Sequence, residues 1–416
     1  DLFIANARES SGAVMYLQTA DGKLKKSSSQ PWRSMNGVDM MGCLLFDADG
    51  DGDNDLYCAA GGSEYSFRRG VYRHRIYAND GNGNFAEKLD ALPDVDVSGG
   101  CVVAGDIDSD GDLDLFVGGR VYPGAYPTMT IRSYLLLNDK GKFKDVTATA
   151  APDLLTPGMV TTACFMDFNK DDKIDLVLGG EYLPIVFMQN DGQKLVNVTG
   201  NMPTAKTYGW FNSIYPVDID NDGDLDIIAG NKGDNSYFRA NSSNPLSMYW
   251  TDVDFNGTLD LWLTYIYQGR EFTYYQLDEM AQSYPAFIKR KFTTYEKISS
   301  ATATEIFGKE NMEQNKVVAN DFTSLLLTNN NGIFSATPLP LIAQTGPVFG
   351  IDCEDVDGNG YMDIMLTGNS ESPRVSHGRD DALNSVILYN NGGKLKGKNG
   401  IQSGFWVPGD GKSLAM

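Results

Sequence analysis

The sequence predicts an all-β fold, a seven-bladed β-propeller forming one domain over residues 1–416. Three observations predict it. One strand–loop–strand unit recurs six times, most copies are followed by a second hairpin, and 45 glycines accompany few long amphipathic stretches. With 42% hydrophobic and 21% charged residues, the 416-residue chain can build a sizeable core and is too apolar for disorder.

The unit is an apolar strand, an Asp/Asn-rich loop, a second apolar strand, then in most copies Gly-Gly or Gly-Asn. The copies are FDADGDGDNDLYCAAGG from Phe46, GDIDSDGDLDLFVGG from Gly105, MDFNKDDKIDLVLGG from Met166, VDIDNDGDLDIIAGN from Val217, TDVDFNGTLDLWLTY from Thr251 and EDVDGNGYMDIMLTGN from Glu354. Their first loop aspartates are separated by 59, 61, 51, 34 and 103 residues, and a value near 60 fits a blade of four short strands. The later hairpins, such as RIYANDGNGNF, SYLLLNDKGKF and VILYNNGGKL, carry Asn/Asp-Gly turn signals. A seventh copy reads as split: DLFIAN at the start supplies one half and SGFWVPGDGKSLAM at the end the other. N- and C-terminal strands then share a terminal blade and leave no free sheet edge. The 103-residue spacing holds a small helical insertion at 276–320, between the second and third strands of one blade.

Lys plus Arg is 34 against 55 Asp plus Glu, a net charge of −21, which argues against nucleic acid as a partner. No apolar run is long enough for a membrane span in this chain, which leaves a lipid anchor outside it compatible. The five cysteines form no CxxC pair and read as buried free thiols. The opening DLFIANARES is neither an initiator Met nor a signal peptide and reads as an excised or processed piece.

In each loop, acidic or amide side chains stand at positions 1, 3, 5 and 9, with Gly usually at 6. These are Asp47, Asp49, Asp51 and Asp55; Asp106, Asp108, Asp110 and Asp114; Asp167, Asn169, Asp171 and Asp175; Asp218, Asp220, Asp222 and Asp226; Asp252, Asp254, Asn256 and Asp260; and Asp355, Asp357, Asn359 and Asp363. Alternate side chains of a tight loop converge, and Gly permits the left-handed turn that convergence needs. Hard oxygen ligands without His or Cys suit Ca²⁺. The six loops hold 25 of the 55 acidic residues, and so much charge repels itself unless a cation sits among it. Up to six structural Ca²⁺ ions follow, in sites of the weak extracellular type. The third loop departs most, with Asp172 in place of Gly and Asn169 in place of Asp. The bland alternative is a set of solvated Asx turns.

The connections between second and third strands lie at the opposite end and hold 10 of the 13 arginines. The candidate ligand-binding residues there are Arg68, Arg69, Arg73, His74, Arg120, Tyr122, Arg239, Arg270, Arg374, His377 and Arg379. Guanidinium forks recognise carboxylate, sulfate or phosphate, and aromatic rings suit sugar faces. An anionic glycan or an acidic segment of a partner protein is the expected ligand. The competing reading is that these arginines pair with neighbouring carboxylates and brace long loops. A binding or scaffold module is favoured over a carbohydrate-active enzyme such as a polysaccharide lyase, for which His74, His377, Tyr72 and Tyr265 with Arg68 or Arg379 could supply a base and a charge neutraliser. No GxSxG or HExxH motif occurs, and no catalytic residue is assigned.

The DxDxDGDxDL loops followed by GG or GN resemble the FG-GAP or VCBS repeats of integrin α-chain propellers and their bacterial relatives. GNKGDNSYFRANSSNPLSMYWTDVDFNGTLDLWLTY, ATATEIFGKE and LPLIAQTGPVFGIDCEDVDGNG are similar to the cartilage-acidic-protein-like, ASPIC/UnbV-associated propellers of exported bacterial proteins. The resemblance implies a Ca²⁺-stabilised propeller located extracellularly, at a bacterial cell surface or in the periplasm. It carries over the loop aspartates as metal ligands and nothing further.

Overall fold

The computed structural model describes every residue except 6–11, 36, 64–70, 128, 284–287, 289, 372–376 and 416. The described chain is mostly β, with few and short helices, and its strands form seven antiparallel sheets. Sheet 1 holds β1 (Leu2–Ile4), β2 (Val14–Gln18) and β3 (Leu24–Lys26). Sheet 2 holds β4 (Asp39–Phe46), β5 (Asp55–Gly61), β6 (Arg75–Asn79) and β7 (Phe85–Glu87). Sheet 3 holds β8 (Ser98–Gly105), β9 (Asp114–Val121), β10 (Tyr134–Asp139) and β11 (Lys142–Asp145). Sheet 4 holds β12 (Met159–Met166), β13 (Asp175–Leu183), β14 (Val186–Asn190) and β15 (Leu195–Asn197), with β16 (Gly209–Trp210) added to β13.

Beyond this point the chain departs from simple repetition. Sheet 5 contains β17 (Ser213–Val217) and β18 (Asp226–Gly230), but β18 pairs with β23 (Leu325–Asn330), which continues into β24 (Ile333–Pro338). Between β18 and β23 lies sheet 6: β19 (Leu246–Thr251), β20 (Asp260–Tyr267), β21 (Arg270–Thr273) and β22 (Lys316–Ala319), in the order β21-β20-β19-β22. Sheet 7 holds β25 (Val348–Glu354), β26 (Asp363–Gly368), β27 (Val386–Asn390) and β28 (Leu395–Asn399).

Two sequence expectations are corrected here. Seven sheets exist, but not as seven successive equivalents: the fifth Asp-rich loop belongs to an inserted sheet, which explains the anomalous spacings of 34 and 103. The insertion therefore runs over residues 231–324, and the short helices within 277–312 are one part of it. Among the described residues the termini also do not form one sheet. Sheet 1 there contains β1–β3, whereas Ser413 and Leu414 lie against Gly350 of β25 and the Gly411 amide donates to Gly368 (2.8 Å).

The core is a series of apolar layers between consecutive sheets. Leu56, Cys58 and Tyr77 meet Met15 and Trp32 between sheets 2 and 1. Tyr57 and Ile76 meet Val102, Leu115 and Leu136 between sheets 2 and 3. Similar layers join sheets 3 and 4, 4 and 5, and 5 and 7. Sheet 6 stands outside this succession. It packs on sheet 4 through Leu246, Met248 and Leu263 against Met159 and Tyr182, and on its own helices through Trp262, Ile306 and Phe307. The second strands β5 and β18 are buried at every position, as strands covered on both faces must be. Each buried Leu, Ile or Phe contributes about 1.5–3 kcal/mol, so the layers are the main adhesive between sheets. First strands approach closely where Gly removes the side chain: a Cβ on Gly100 would collide with the Val160 carbonyl.

Candidate metal loops and ligand face

Every Asp-rich loop joins the first and second strands of its sheet. The position-1 carboxylate folds the loop around itself. Asp218 accepts the amides of Asp222 (3.2 Å) and Gly223 (3.0 Å), and Asp252 those of Asn256 (3.0 Å) and Gly257 (2.8 Å). Position 6 takes positive φ, as anticipated, including Asp172 at +62°. Position 4 does so too, and there non-glycine residues are common: Ser109, Lys170, Asn221 and Phe255 at +57° to +62°.

In five loops, one oxygen from each of positions 1, 3 and 9 lies within 4.8 Å of the others: Asp47, Asp49 and Asp55; Asp106, Asp108 and Asp114; Asp218, Asp220 and Asp226; Asp252, Asp254 and Asp260; Asp355, Asp357 and Asp363. The third loop lacks such a carboxylate triad because Asn169 occupies position 3. Position 5 stands apart from the convergent group. Asp51, Asp110, Asp171, Asp222, Asn256 and Asn359 instead accept the amide of position 7.

The donor set fits a hard cation on an observation independent of spacing. Asp49, Asp220 and Asp254, all at position 3, each bury a carboxylate Oδ1 with no hydrogen-bond partner. A buried, unpaired carboxylate oxygen is costly unless a cation meets it. The site has only oxygen donors, which is calcium chemistry.

The position-9 aspartates serve a second purpose. Asp114 accepts the amides of Ile107 (2.9 Å) and Asn138 (2.8 Å), and Asp226 those of Ile219 (3.0 Å) and Asn329 (2.7 Å). Burial pushes Asp55, Asp114 and Asp226 up to about 6 and Asp175 up to about 7.

A set of asparagines escaped the sequence reading. Each occupies the end of a third strand, and its side-chain amide reaches the position-2 carbonyl in the loop of the preceding sheet. Asn138 donates to Ala48 (2.8 Å), Asn190 to Ile107 (2.8 Å), Asn329 to Phe168 (2.9 Å) and Asn390 to Ile219 (2.7 Å). The same amides donate to the position-8 carbonyl of their own loop, and the Asn oxygen accepts a turn amide, as from Gly141 (2.9 Å). These staples link sheets 2, 3, 4, 5 and 7 and bypass sheet 6. The signal was present in the sequence as the Asn of LLND, MQND, LTNN and LYNN; Asn79 of YAND holds the same place but bonds within its own sheet.

At the opposite end, the predicted ligand residues divide. Arg68, Arg69 and Arg374 lie outside the described residues. His74 is corrected: it is 2% exposed, its Nδ1 faces the Tyr57 hydroxyl (2.8 Å) and its Nε2 the Val97 carbonyl (2.9 Å). Burial lowers its pKa to about 4, so it is a neutral core residue joining sheets 2 and 3. Arg120 is braced by Glu181 (2.9 Å from Nε), which also accepts from the Tyr126 hydroxyl (2.7 Å). Arg75 pairs with Glu87 (3.2 Å) and Arg132 with Asp145. Arg73 donates to the Leu89 carbonyl (3.0 Å), and Arg270 to that of Ser300 (3.1 Å). Tyr122 and Arg379 are exposed.

Three hollows mark this end, one of them about 470 Å³ between Tyr265, Phe272 and the helices around Ile298; the other two hold predicted ligand residues. A small one of about 270 Å³ lies where sheets 3, 4, 5 and 7 meet, among Arg120, Glu181, Asn212, Lys232, Phe349 and Ser370. Its cations are consumed, Arg120 by Glu181 and Lys232 by Asp380. The larger one, about 470 Å³, opens beside sheet 6 and is lined by Tyr237, Arg239, Tyr265, Tyr267 and Tyr274 with Asn241, Asn244, Ile266 and Thr273. His377 stacks on Tyr237 (4.4 Å between centroids).

A family model described as FG-GAP-like repeat matches residues 47–117 and 167–229, which include the first, second, third and fourth loops. No curated protein matches the sequence significantly. Among solved structures, BBS1N in complex with ARL6DN is 11% identical, over 84% of this chain and 77% of that one, with a TM-score of 0.30. A putative exo-β-1,3-galactanase from Bifidobacterium bifidum is 11% identical over 66% and 86%, with a TM-score of 0.34. Rhamnogalacturonan lyase YesW is 12% identical over 88% and 59%, with a TM-score of 0.32. Scores of this size carry no argument about fold or activity; the FG-GAP-like repeat match covers segments of sheets 2, 3, 4 and 5, about a third of the chain.

Proposed function

We propose that the chain is an exported, calcium-stabilised β-propeller acting as a binding module. Sheets 1, 2, 3, 4, 5 and 7 would form the ring, closed where the C-terminal residues beside β25 meet sheet 1. Sheet 6 would be an appendage on the ligand-facing end. The observation that carries this reading is the division of labour along each strand pair. One end gathers convergent carboxylates in five loops, in three of them with an unpartnered buried position-3 oxygen, and the other carries arginines, tyrosines and the tyrosine-lined hollow beside sheet 6. Calcium at millimolar levels matches loops of this kind and supports an extracellular or cell-surface location. The ligand is an anionic glycan or an acidic segment of a partner protein.

A lyase using His74 as base loses its support, because that imidazole is enclosed and both its nitrogens are engaged. A glycan array probed in 2 mM Ca²⁺ and again in EDTA, numbers chosen as about the extracellular level, tests the proposal. Binding of acidic glycans that weakens in EDTA is expected. Absence of binding to glycans and to acidic peptides alike refutes it.

A further inference from the structure

The hollow beside sheet 6 differs from its surroundings in charge. Among the described residues its lining contains one cation, Arg239, and no carboxylate, in a chain with 55 acidic residues against 34 basic ones. The guanidinium of Arg239 donates to the backbone carbonyl of Asp234, and no carboxylate among the described residues comes within ion-pair distance. Arg239 thus forms no direct ion pair among the described residues, unlike Arg75, Arg120 or Arg132, and only the more distant Asp234 carboxylate feels its charge.

The walls are tyrosine rings set at angles to one another. Tyr265 and Tyr274 lie 4.7 Å apart and tilted by 52°, and Tyr237 and Tyr274 5.6 Å apart and tilted by 53°. Tyr267 is 60% exposed and Tyr237 43%. His377 covers one face of Tyr237, and rings tilted in this way leave the exposed face of Tyr267 to meet C–H-rich surfaces. The wall is also built in advance. Tyr274 packs edge-on to Phe238 (5.1 Å), Phe238 to Trp210 (5.6 Å), and Trp210 rests on Phe322 (5.1 Å) and Tyr182 (5.4 Å), residues anchored in or beside sheet 4. A prebuilt aromatic cleft loses little ordering entropy when a ligand enters.

We propose that this cleft is the ligand seat of the binding module, and that its ligand is a pyranose oligosaccharide carrying a single carboxylate or sulfate in the recognised unit. The proposal rests on the binding-module reading and adds to it the place and the chemistry. Tyrosine faces stack on pyranose C–H faces, rim hydroxyls and Asn244 serve sugar hydroxyls, and Arg239 clamps the one anion. The volume of about 470 Å³ falls within the range of small-ligand sites. An acidic peptide is the poorer fit, because a run of carboxylates calls for several free cations and the cleft offers one.

Isothermal titration of the full chain in Ca²⁺ tests this with a galactose trisaccharide carrying one galacturonic acid, a monosulfated galactose trisaccharide and neutral galactotriose. The relative affinities of the first two separate carboxylate from sulfate. Tyr267→Ala is expected to weaken all three at least tenfold. Arg239→Gln is expected to weaken only the charged pair at least tenfold, and the exposed Arg33→Gln to change none. Both cleft residues are exposed, so thermal melts of these variants should match the parent. Charged-sugar binding that survives both cleft substitutions overturns the cleft as the seat and leaves the binding module standing. Binding of poly-glutamate with no sugar bound overturns the glycan chemistry. Failure of every probe on the unsubstituted chain overturns the cleft and the wider reading together.

Discussion

Asp220 gives the metal loops a sign test at one atom. Its Oδ1 is buried and unpartnered, and neighbouring Asp222 and Asp218 add repulsion after burial itself has raised its pKa. Asp220→Asn should therefore have opposite effects in two buffers. In Ca²⁺ it removes a ligand and lowers the melting temperature. In EDTA it removes an uncompensated charge and raises it. Paired melts decide the matter, and a shift of the same sign in both buffers would mean that no cation meets this oxygen. A second residue shows strain. Phe255 sits at position 4 with φ +59° and 90% of its surface exposed, a conformation that costs a bulky L-residue about 1–2 kcal/mol. Asn tolerates this geometry, so Phe255→Asn should stabilise the chain by about 0.5–1 kcal/mol, read from denaturant midpoints.

At the scale of elements, the staple asparagines and the buried histidine hold sheets together. Asn190→Ala removes two donated bonds and one accepted bond at a buried site and leaves the Ile107 and Ile174 carbonyls without them. A loss of about 3 kcal/mol is expected. Asn79→Ala should cost less, because Asn79 bonds within its own sheet and is more exposed. Equal losses would show that the link between sheets is not what the asparagine supplies. His74 adds an acid dependence. Its folded pKa of about 4 lies below the ordinary 6.5, so between those values the unfolded chain binds more protons. Stability contributed by neutral His74 is thus complete above pH 6.5 and is lost as pH falls toward 4, by about 3 kcal/mol in all. Urea titrations in Ca²⁺ at several pH values should show an acid loss about 3 kcal/mol larger in the parent chain than in His74→Gln, whose amide can replace both bonds.

The same elements mark how far the sequence could be read. The loops were legible because their chemistry repeats at fixed local positions, and strand pairs on either side follow from alternation and turn residues. Sheet 6 was not. Its loop, TDVDFNGTLDLWL, is as good a copy as the others, and nothing local says that β18 will skip over it to pair with β23. What distinguishes it is the missing staple, since no Asn-turn hairpin follows Trp262 before the helices. The arginines were legible only in part. Their clustering was visible and bracing by carboxylates was an open reading, but which arginine finds one depends on long-range partners such as Glu181 for Arg120, 61 residues away.

For the whole molecule, charge and metal should be linked through pH. Burial raises Asp55, Asp114 and Asp226 to about 6 and Asp175 to about 7, with neighbouring loop carboxylates adding to the shift. A carboxyl whose folded pKa exceeds its unfolded value of 3.8 favours the fold fully below 3.8 and loses that contribution as pH rises through the folded pKa. Without metal, these groups should make the chain less stable from pH 4 toward pH 7, on top of the self-repulsion of a net charge of −21. Calcium binds the deprotonated form and so competes with protons. A site filled at a hundred times its Kd stabilises by about 2.7 kcal/mol. The gain in melting temperature on going from EDTA to Ca²⁺ should therefore be small at pH 4.5 and large at pH 7.5, about where the cited groups are protonated and ionised respectively. Sodium chloride in EDTA should recover only the screened, long-range part, because the convergent oxygens lie within 4.8 Å of one another, inside any Debye length at moderate salt. A calcium gain that is flat across this pH range, or that salt alone reproduces, would mean that the loops hold solvated turns and that the sheets are joined by apolar layers and asparagines alone.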